Sequence, residues 1–211
     1  MRSSRPNRCG VRAREWCFRA RSKNRGRWRH GIGIVAMSAS LLMARGASPQ
    51  ANSTSEYTVK AAFLFHFAQL AEWPASAFKA PNTPLTFCTL GEDAFHGALD
   101  ESISGKTIGN RPLRVQHLKP GQGAEGCQVI FIDADEKKRV PTLLASMRDL
   151  PVLTVGDTEN FAQNGGMIGL FLDDNKIRFE INLDSVEHAK LRVSAKLLTL
   201  AKTVIGGSRG N

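Results

Sequence analysis

Four short strand-like runs, Leu85–Leu90, Leu113–Leu118, Val129–Asp133 and Val152–Val155, constrain the fold more than any other feature. Each is too short for a helix; three are rich in β-branched or aromatic residues and Leu113–Leu118 alternates around Val115, so each reads as a strand. Between them lie helical patterns, a short one around Ala94–Ile103 and a longer one near Glu136–Leu150, with a brief helical segment near Asn160. Strands alternating with helices at this spacing require a largely parallel sheet with helices on both faces. Further on, Met167–Leu172 and Lys176–Leu183 flank Asp173-Asp-Asn175, the signature of an antiparallel hairpin. The chain then closes with a helical pattern through Val193, Leu197, Leu198, Leu200, Ala201 and Val204. At the front, Ser53-Thr-Ser-Glu56 matches a capping box, and the helix it starts should run to Trp73, before Pro74. Tyr57, Val59, Phe63, Leu64, Phe67, Leu70 and Ala71 make that helix apolar on most sides, so it is buried on most sides or docks a partner. The expected fold class is therefore α/β, in a single domain with a C-terminal antiparallel hairpin.

Charge separates this body from the segment that precedes it. The formal net charge is +10, but twelve basic residues and one acid fall within the first 45 residues. The rest of the chain is close to neutral, which excludes the broad phosphate-neutralising surface of a nucleic-acid binder. Eleven basic residues precede Gly31, the stretch 31–44 carries no charge, and small residues recur at Ala47, Ser48 and Ala51. Basic, apolar and small-residue regions in that order form a secretory signal, here with a long n-region and with Arg45 in an unusual place. Residues 1–51 are thus expected to be a signal peptide and 52–211 the exported domain. The competing readings are a disordered basic tail on a cytosolic protein and, behind it, an uncleaved membrane anchor.

Cysteine usage fits export. Cys9 and Cys17 lie in the leader, leaving Cys88 and Cys127 in two strand-like runs. In an oxidising compartment such a pair forms a disulfide. Closing that loop stabilises a fold by about 4 kcal/mol in the chain-entropy model. Two buried free thiols are the alternative, and two cysteines without clustered histidines do not make a zinc site.

Catalytic signatures are scarce. The chain has no Walker loop, no Gly-x-Ser-x-Gly elbow and no His-Glu-x-x-His. Gly91 lacks the further glycines that bring backbone to a pyrophosphate, so a plain strand-to-helix turn is the better reading. Turn geometry also explains Gly165-Gly166. Asp133, Asp135 and Glu136 follow a strand end; a charge cluster favoured by a helix N-terminus is preferred there over a metal site. The histidines are scattered singly. No cofactor is expected. Most unusual is Ile177-Arg-Phe-Glu-Ile-Asn182, where alternation puts Arg178, Glu180 and Asn182 on one face and Phe179 and Ile181 on the other. That polar face is either a solvated side or a surface that reads a ligand.

Glu56–Pro74, together with Cys88–Phe95, Cys127–Phe131, Phe161–Leu172, Arg178–Asn182 and Leu191–Leu198, resembles the YfiR-like family of periplasmic regulators, in family order from Glu56 to Val204. The resemblance implies an exported α/β protein that is not an enzyme. Its implied role is to repress a membrane-bound diguanylate cyclase by contact with the cyclase's periplasmic part, lowering cyclic di-GMP and biofilm formation. It also implies an outer-membrane peptidoglycan-binding lipoprotein that draws the repressor away, with a homodimer as one further arrangement. Cys88 and Cys127 match a redox-responsive family pair; the second pair that some members carry in the C-terminal half is missing here. The other function considered is a periplasmic small-molecule sensor that switches a different envelope partner. Arg178, Glu180, Asn182 and Arg192 are the candidate partner- or ligand-binding residues, and no metal or nucleic acid is expected.

Overall fold

An apolar helix opens the described chain. The computed structural model describes residues 50–90, 93–119 and 121–207, so the leader, its signal-peptide reading and Gly91 lie outside the described residues. Helix α1 (Gln50–Gln69) buries Ala61, Leu64, Phe65, Phe67 and Ala68 and leaves a narrow exposed stripe at Thr58, Val59, Ala62, His66 and Gln69. That agrees with a helix buried on most sides. Its limits differ from the sequence expectation at both ends. It starts upstream of the Ser53 capping box, and it stops at Gln69 because Ala71–Glu72 forms strand β1.

The main sheet comes next. After β2 (Leu85–Leu90) come α2 (Ala98–Ile103), β3 (Thr107–Ile108), β4 (Arg111–Leu118), β5 (Val129–Ile132), α3 (Val140–Met147) and β6 (Leu153–Gly156). The chain continues through β7 (Ile168–Asp173), β8 (Lys176–Asn182), α4 (Leu183–His188), β9 (Arg192–Val193), α5 (Ala195–Leu200) and β10 (Thr203–Ile205). The sheet order is β10-β8-β7-β6-β5-β2-β4-β3. Neighbours from β4 through β7 are parallel, and β7–β8 is the expected antiparallel hairpin. Asp174 and Asn175 both have positive φ, 48° and 58°, as a two-residue hairpin turn of the primed kind requires. Taken in chain order, the parallel strands lie 2-1-3-4-5, one of the two common doubly wound arrangements, with its switch point between β2 and β5.

Both faces of the sheet are covered. Val129 and Phe131 of β5 point into the core under α1 and α2, whereas Ile130 and Ile132 point into the core under α3. Burial on two faces explains why β2, β5 and β6 carry no charged side chain and are buried at every position rather than alternating. Phe67 of α1 packs on Phe179 of β8 with ring centroids 4.9 Å apart. Burying a side chain of this size is worth roughly 1.5–3 kcal/mol. Cys88 and Cys127 are joined by a disulfide on the α3 side, with Cα atoms 5.8 Å apart and 39 residues between them in sequence.

Three segments correct the sequence reading. The 136–150 helix is a single 3-10 turn at Ala134–Glu136 followed by α3, which begins one residue before Pro141. The stretch near Asn160 is a series of turns, with Asn160 at φ 56°. The C-terminal helix from 193 to 204 is three elements. Ser194 caps α5 by accepting from the Leu197 N–H, and Val204 belongs to β10, which pairs in parallel with β8. Helical periodicity cannot distinguish these pieces, because short apolar residues at three- and four-residue spacing also suit a strand edge.

Candidate functional site

Open α/β sheets bind ligands outside the carboxyl ends of their parallel strands. Here two acids stand at adjacent strand ends, Asp133 just after β5 and Asp157 just after β6. Helix α1 lies over both. Tyr57 donates from its hydroxyl to Asp133 Oδ2 at 2.5 Å, while Asp133 Oδ1 accepts from the Asp135 N–H at 2.9 Å. Asp133 therefore caps the 3-10 turn with one oxygen and holds α1 with the other. Lys60, one helical turn along, reaches Asp157 Oδ2 at 2.5 Å and Glu56 Oε1 at 2.7 Å.

The Lys60–Asp157 pair is enclosed, with each side chain only 7% exposed. Burial alone lowers a lysine, but hydrogen bonds to Asp157 and Glu56 outweigh it and hold the Lys60 ammonium above its ordinary value. Burial pushes the Asp157 carboxyl up, opposed by Lys60 and by the Ala134 backbone N–H. Tyr57 is also pushed well up, by burial first, then by its hydrogen bond to Asp133 and the surrounding negative charge. Such a network fixes the helix on the sheet ends. Breaking it leaves a charge buried without a partner.

The residues singled out from sequence separate into three environments. Arg178 is exposed on β8, opposite Phe171 of β7. Glu180 is half-buried on the same face, accepts from Gln163 Nε2 at 2.7 Å, and crosses the space left by Gly169. Asn182 is buried, donating to the Ala162 carbonyl at 2.8 Å and capping α4 by accepting from the Ser185 N–H at 3.0 Å. The alternation thus holds, but Asn182 is committed to the fold. Arg192 stands apart, exposed on β9, whose register partner is Glu72 of β1. Gly165, at φ 98°, makes the expected turn, and Gly166 gives room to the Phe161 ring. Among the described residues no group of three His, Cys, Asp or Glu side chains is placed to hold a metal, and no helix is long and apolar enough to cross a membrane.

Sequence reasoning missed Tyr57, Lys60, Asp157 and Thr158. A signal for the acid was present: Asp157 directly follows the apolar run of β6, as Asp133 follows β5. Glu56, four residues earlier, gives Lys60 a local pair, but nothing local points to its other partner, Asp157, 97 residues away.

Comparison with known proteins adds the family. A search among curated proteins finds no match. One solved structure, described as the ABC domain in complex with L-Trp from Streptococcus pneumonia, is similar at 11% identity with a TM-score of 0.49. The similarity covers 69% of this chain and 60% of that one, so the chain spans about three fifths of its length. The family model described as YfiR/HmsC-like matches residues 57–202, from the Tyr57 that anchors α1 to the residue before β10. The chain belongs to the YfiR/HmsC-like family.

Proposed function

We propose that this protein is a periplasmic regulator that holds a membrane-bound diguanylate cyclase inactive by contact with the cyclase's periplasmic part. The observation that carries the reading is the family match over 57–202, which takes in the sheet except β10, both of its helical faces and the disulfide. At family level that match supports a regulator of diguanylate cyclase signalling, acting through a partner rather than by catalysis. A cystine buried at the centre of the sheet suits an oxidising compartment. An outer-membrane peptidoglycan-binding lipoprotein would relieve repression by competing for the same protein, and a homodimer would present the contact surface twice.

The contact would use exposed apolar and charged side chains, the types that anchor and orient interfaces. Arg192 is exposed, and Glu180 is reachable on the β8 face beside the exposed Arg178. Asn182 contributes indirectly, by fixing the start of α4. The test measures cyclic di-GMP in a deletion strain complemented with wild type, Glu180→Lys or Arg192→Glu. Deletion should raise the nucleotide and wild type should restore it, with the variants restoring it less. An unchanged level in the deletion strain would overturn the proposal. Full restoration by both variants would move the contact elsewhere.

A further inference from the structure

A cavity of about 270 Å³ opens beyond the carboxyl end of β6, on the face of β7 and β8 that carries Phe171 and Glu180. The side chains that matter in its wall are Asp157, Thr158, Glu159, Gln163, Phe171 and Glu180. Two of their atoms, Asp157 Oδ1 and Thr158 Oγ1, are buried without a hydrogen bond of ordinary geometry among the described residues; the Ala134 backbone N–H that acts on the Asp157 carboxyl lies outside that geometry. An unpaired buried acceptor is costly, more so when it is charged, so native folds rarely leave one idle. Here the two belong to adjacent residues of the same cavity wall. Asp157 is not free to turn away, because its other oxygen is held by Lys60.

The charge of the wall selects the ligand. Three carboxylates face the cavity, and among the described residues no Lys, Arg or His lines it. Lys60 offsets Asp157 alone. Arg178 stands on the same face, but it is not in the wall and its charge acts on Asp173. Glu159 and Glu180 are therefore left without a cation in the wall. Phe171, 37% exposed, supplies an aromatic surface at the mouth. Carboxylates beside an aromatic ring favour a cation with an organic body, through charge-assisted hydrogen bonds and cation–π attraction. A bare metal ion is a poorer fit, since a hard cation needs six or more oxygen ligands.

We propose that this cavity binds a small organic cation. Its alkylammonium or guanidinium N–H groups would donate to Asp157 Oδ1 and Thr158 Oγ1, its charge would face Glu180, and its body would lie on Phe171. The proposal does not depend on repression of a cyclase, because binding is read on the isolated protein. The same chemistry is carried by a free amine and by a lysine or arginine side chain of a partner.

The experiment is calorimetric titration of the purified protein with n-butylammonium and n-butylguanidinium chlorides at constant ionic strength, with n-butanol as the uncharged control. Saturable binding of the cations and none of the alcohol is expected. Thr158→Val and Glu180→Gln should each weaken it by about tenfold, the factor that corresponds to losing roughly 1.4 kcal/mol of interaction. Glu159→Gln, at an exposed position, provides a third variant that keeps the fold intact. No saturable heat with either cation, or equal affinity in all three variants, would overturn the proposal. Variant-sensitive binding of calcium or magnesium in place of the organic cations would overturn it too. Tighter binding of Nα-acetyl-lysine amide than of n-butylammonium supports the proposal with a partner's side chain as the source. The reverse order supports it with a free amine as the source.

Discussion

The two halves of one sheet differ in how they are finished. Around β4, β2 and β5 the chain closes on itself: all six residues of β2 are buried, and the Cys88–Cys127 disulfide fastens β2 to the start of β5. Around β7, β8 and β10 the large apolar side chains of Leu172 and Val204, with Leu200 of α5, stay 58%, 41% and 59% exposed, and β10 ends the sheet. One half is braced and the other leaves surface uncovered. The first carries a covalent tie, and the second, although Phe179 and Ile181 pack in the main core, has apolar surface left exposed. The strand-end acids repeat the contrast on a smaller scale, for both oxygens of Asp133 are occupied whereas Asp157 keeps one open.

The largest expected effect comes from breaking the tie between α1 and the middle of the sheet. Lys60→Met leaves Asp157 in a buried place without its cation, and such losses cost about 3–5 kcal/mol. Denaturant unfolding of wild type and variant checks this; a loss below 1 kcal/mol or so would mean the pair is not enclosed. Removing the brace comes next. The double variant Cys88→Ser, Cys127→Ser should lose up to about 4 kcal/mol by loop entropy. Amide exchange should then rise in β2 and β5 before it rises in β7 and β8. Faster exchange in the hairpin first would reverse the assignment of braced and open halves.

Tyr57 gives a smaller effect with a pH signature. Tyr57→Phe removes a hydrogen bond to a charged acceptor, worth roughly 1.5–3 kcal/mol. In the folded protein its phenol is raised above the ordinary 10.0, so the native state keeps this proton after the unfolded chain has released it. The phenol's contribution is therefore complete below pH 10 and is lost as pH rises through the folded value. The variant's stability should decline less steeply above pH 10. Only one tyrosine occurs in the sequence, so tyrosinate absorbance reports it alone. Ionisation of the native protein at the ordinary pH would refute the Asp133 contact. The smallest effect is expected on the open half: Leu172→Asn should change stability by about 0.5 kcal/mol or less, as surface substitutions do. A loss several times larger would show that this surface is covered.

How much of the fold could be read in advance depends on where each signal resides. Strands β2, β5 and β6 were legible because burial on two faces keeps charge out of them, and the hairpin because Asp174 and Asn175 tolerate positive φ. Two-residue strands such as β1 and β9 were not, since their pairing of Ala71 with Val193 joins segments far apart in the chain. The C-terminal elements were merged into one helix because α5 supplies one real turn and β10 continues its spacing by coincidence. Of the candidate site, the Arg178–Glu180–Asn182 face was legible from alternation. That Asn182 is spent as a helix cap, and that Lys60 meets Asp157, depended on tertiary placement alone.

The most direct measurement is the rate of cyclic di-GMP synthesis by inner membranes that carry the cyclase, with the purified oxidised protein added to the periplasmic side. The expected result is a saturable fall in rate that Arg192→Glu weakens while its circular dichroism matches wild type. A rate that stays unchanged at saturating protein would contradict repression by contact.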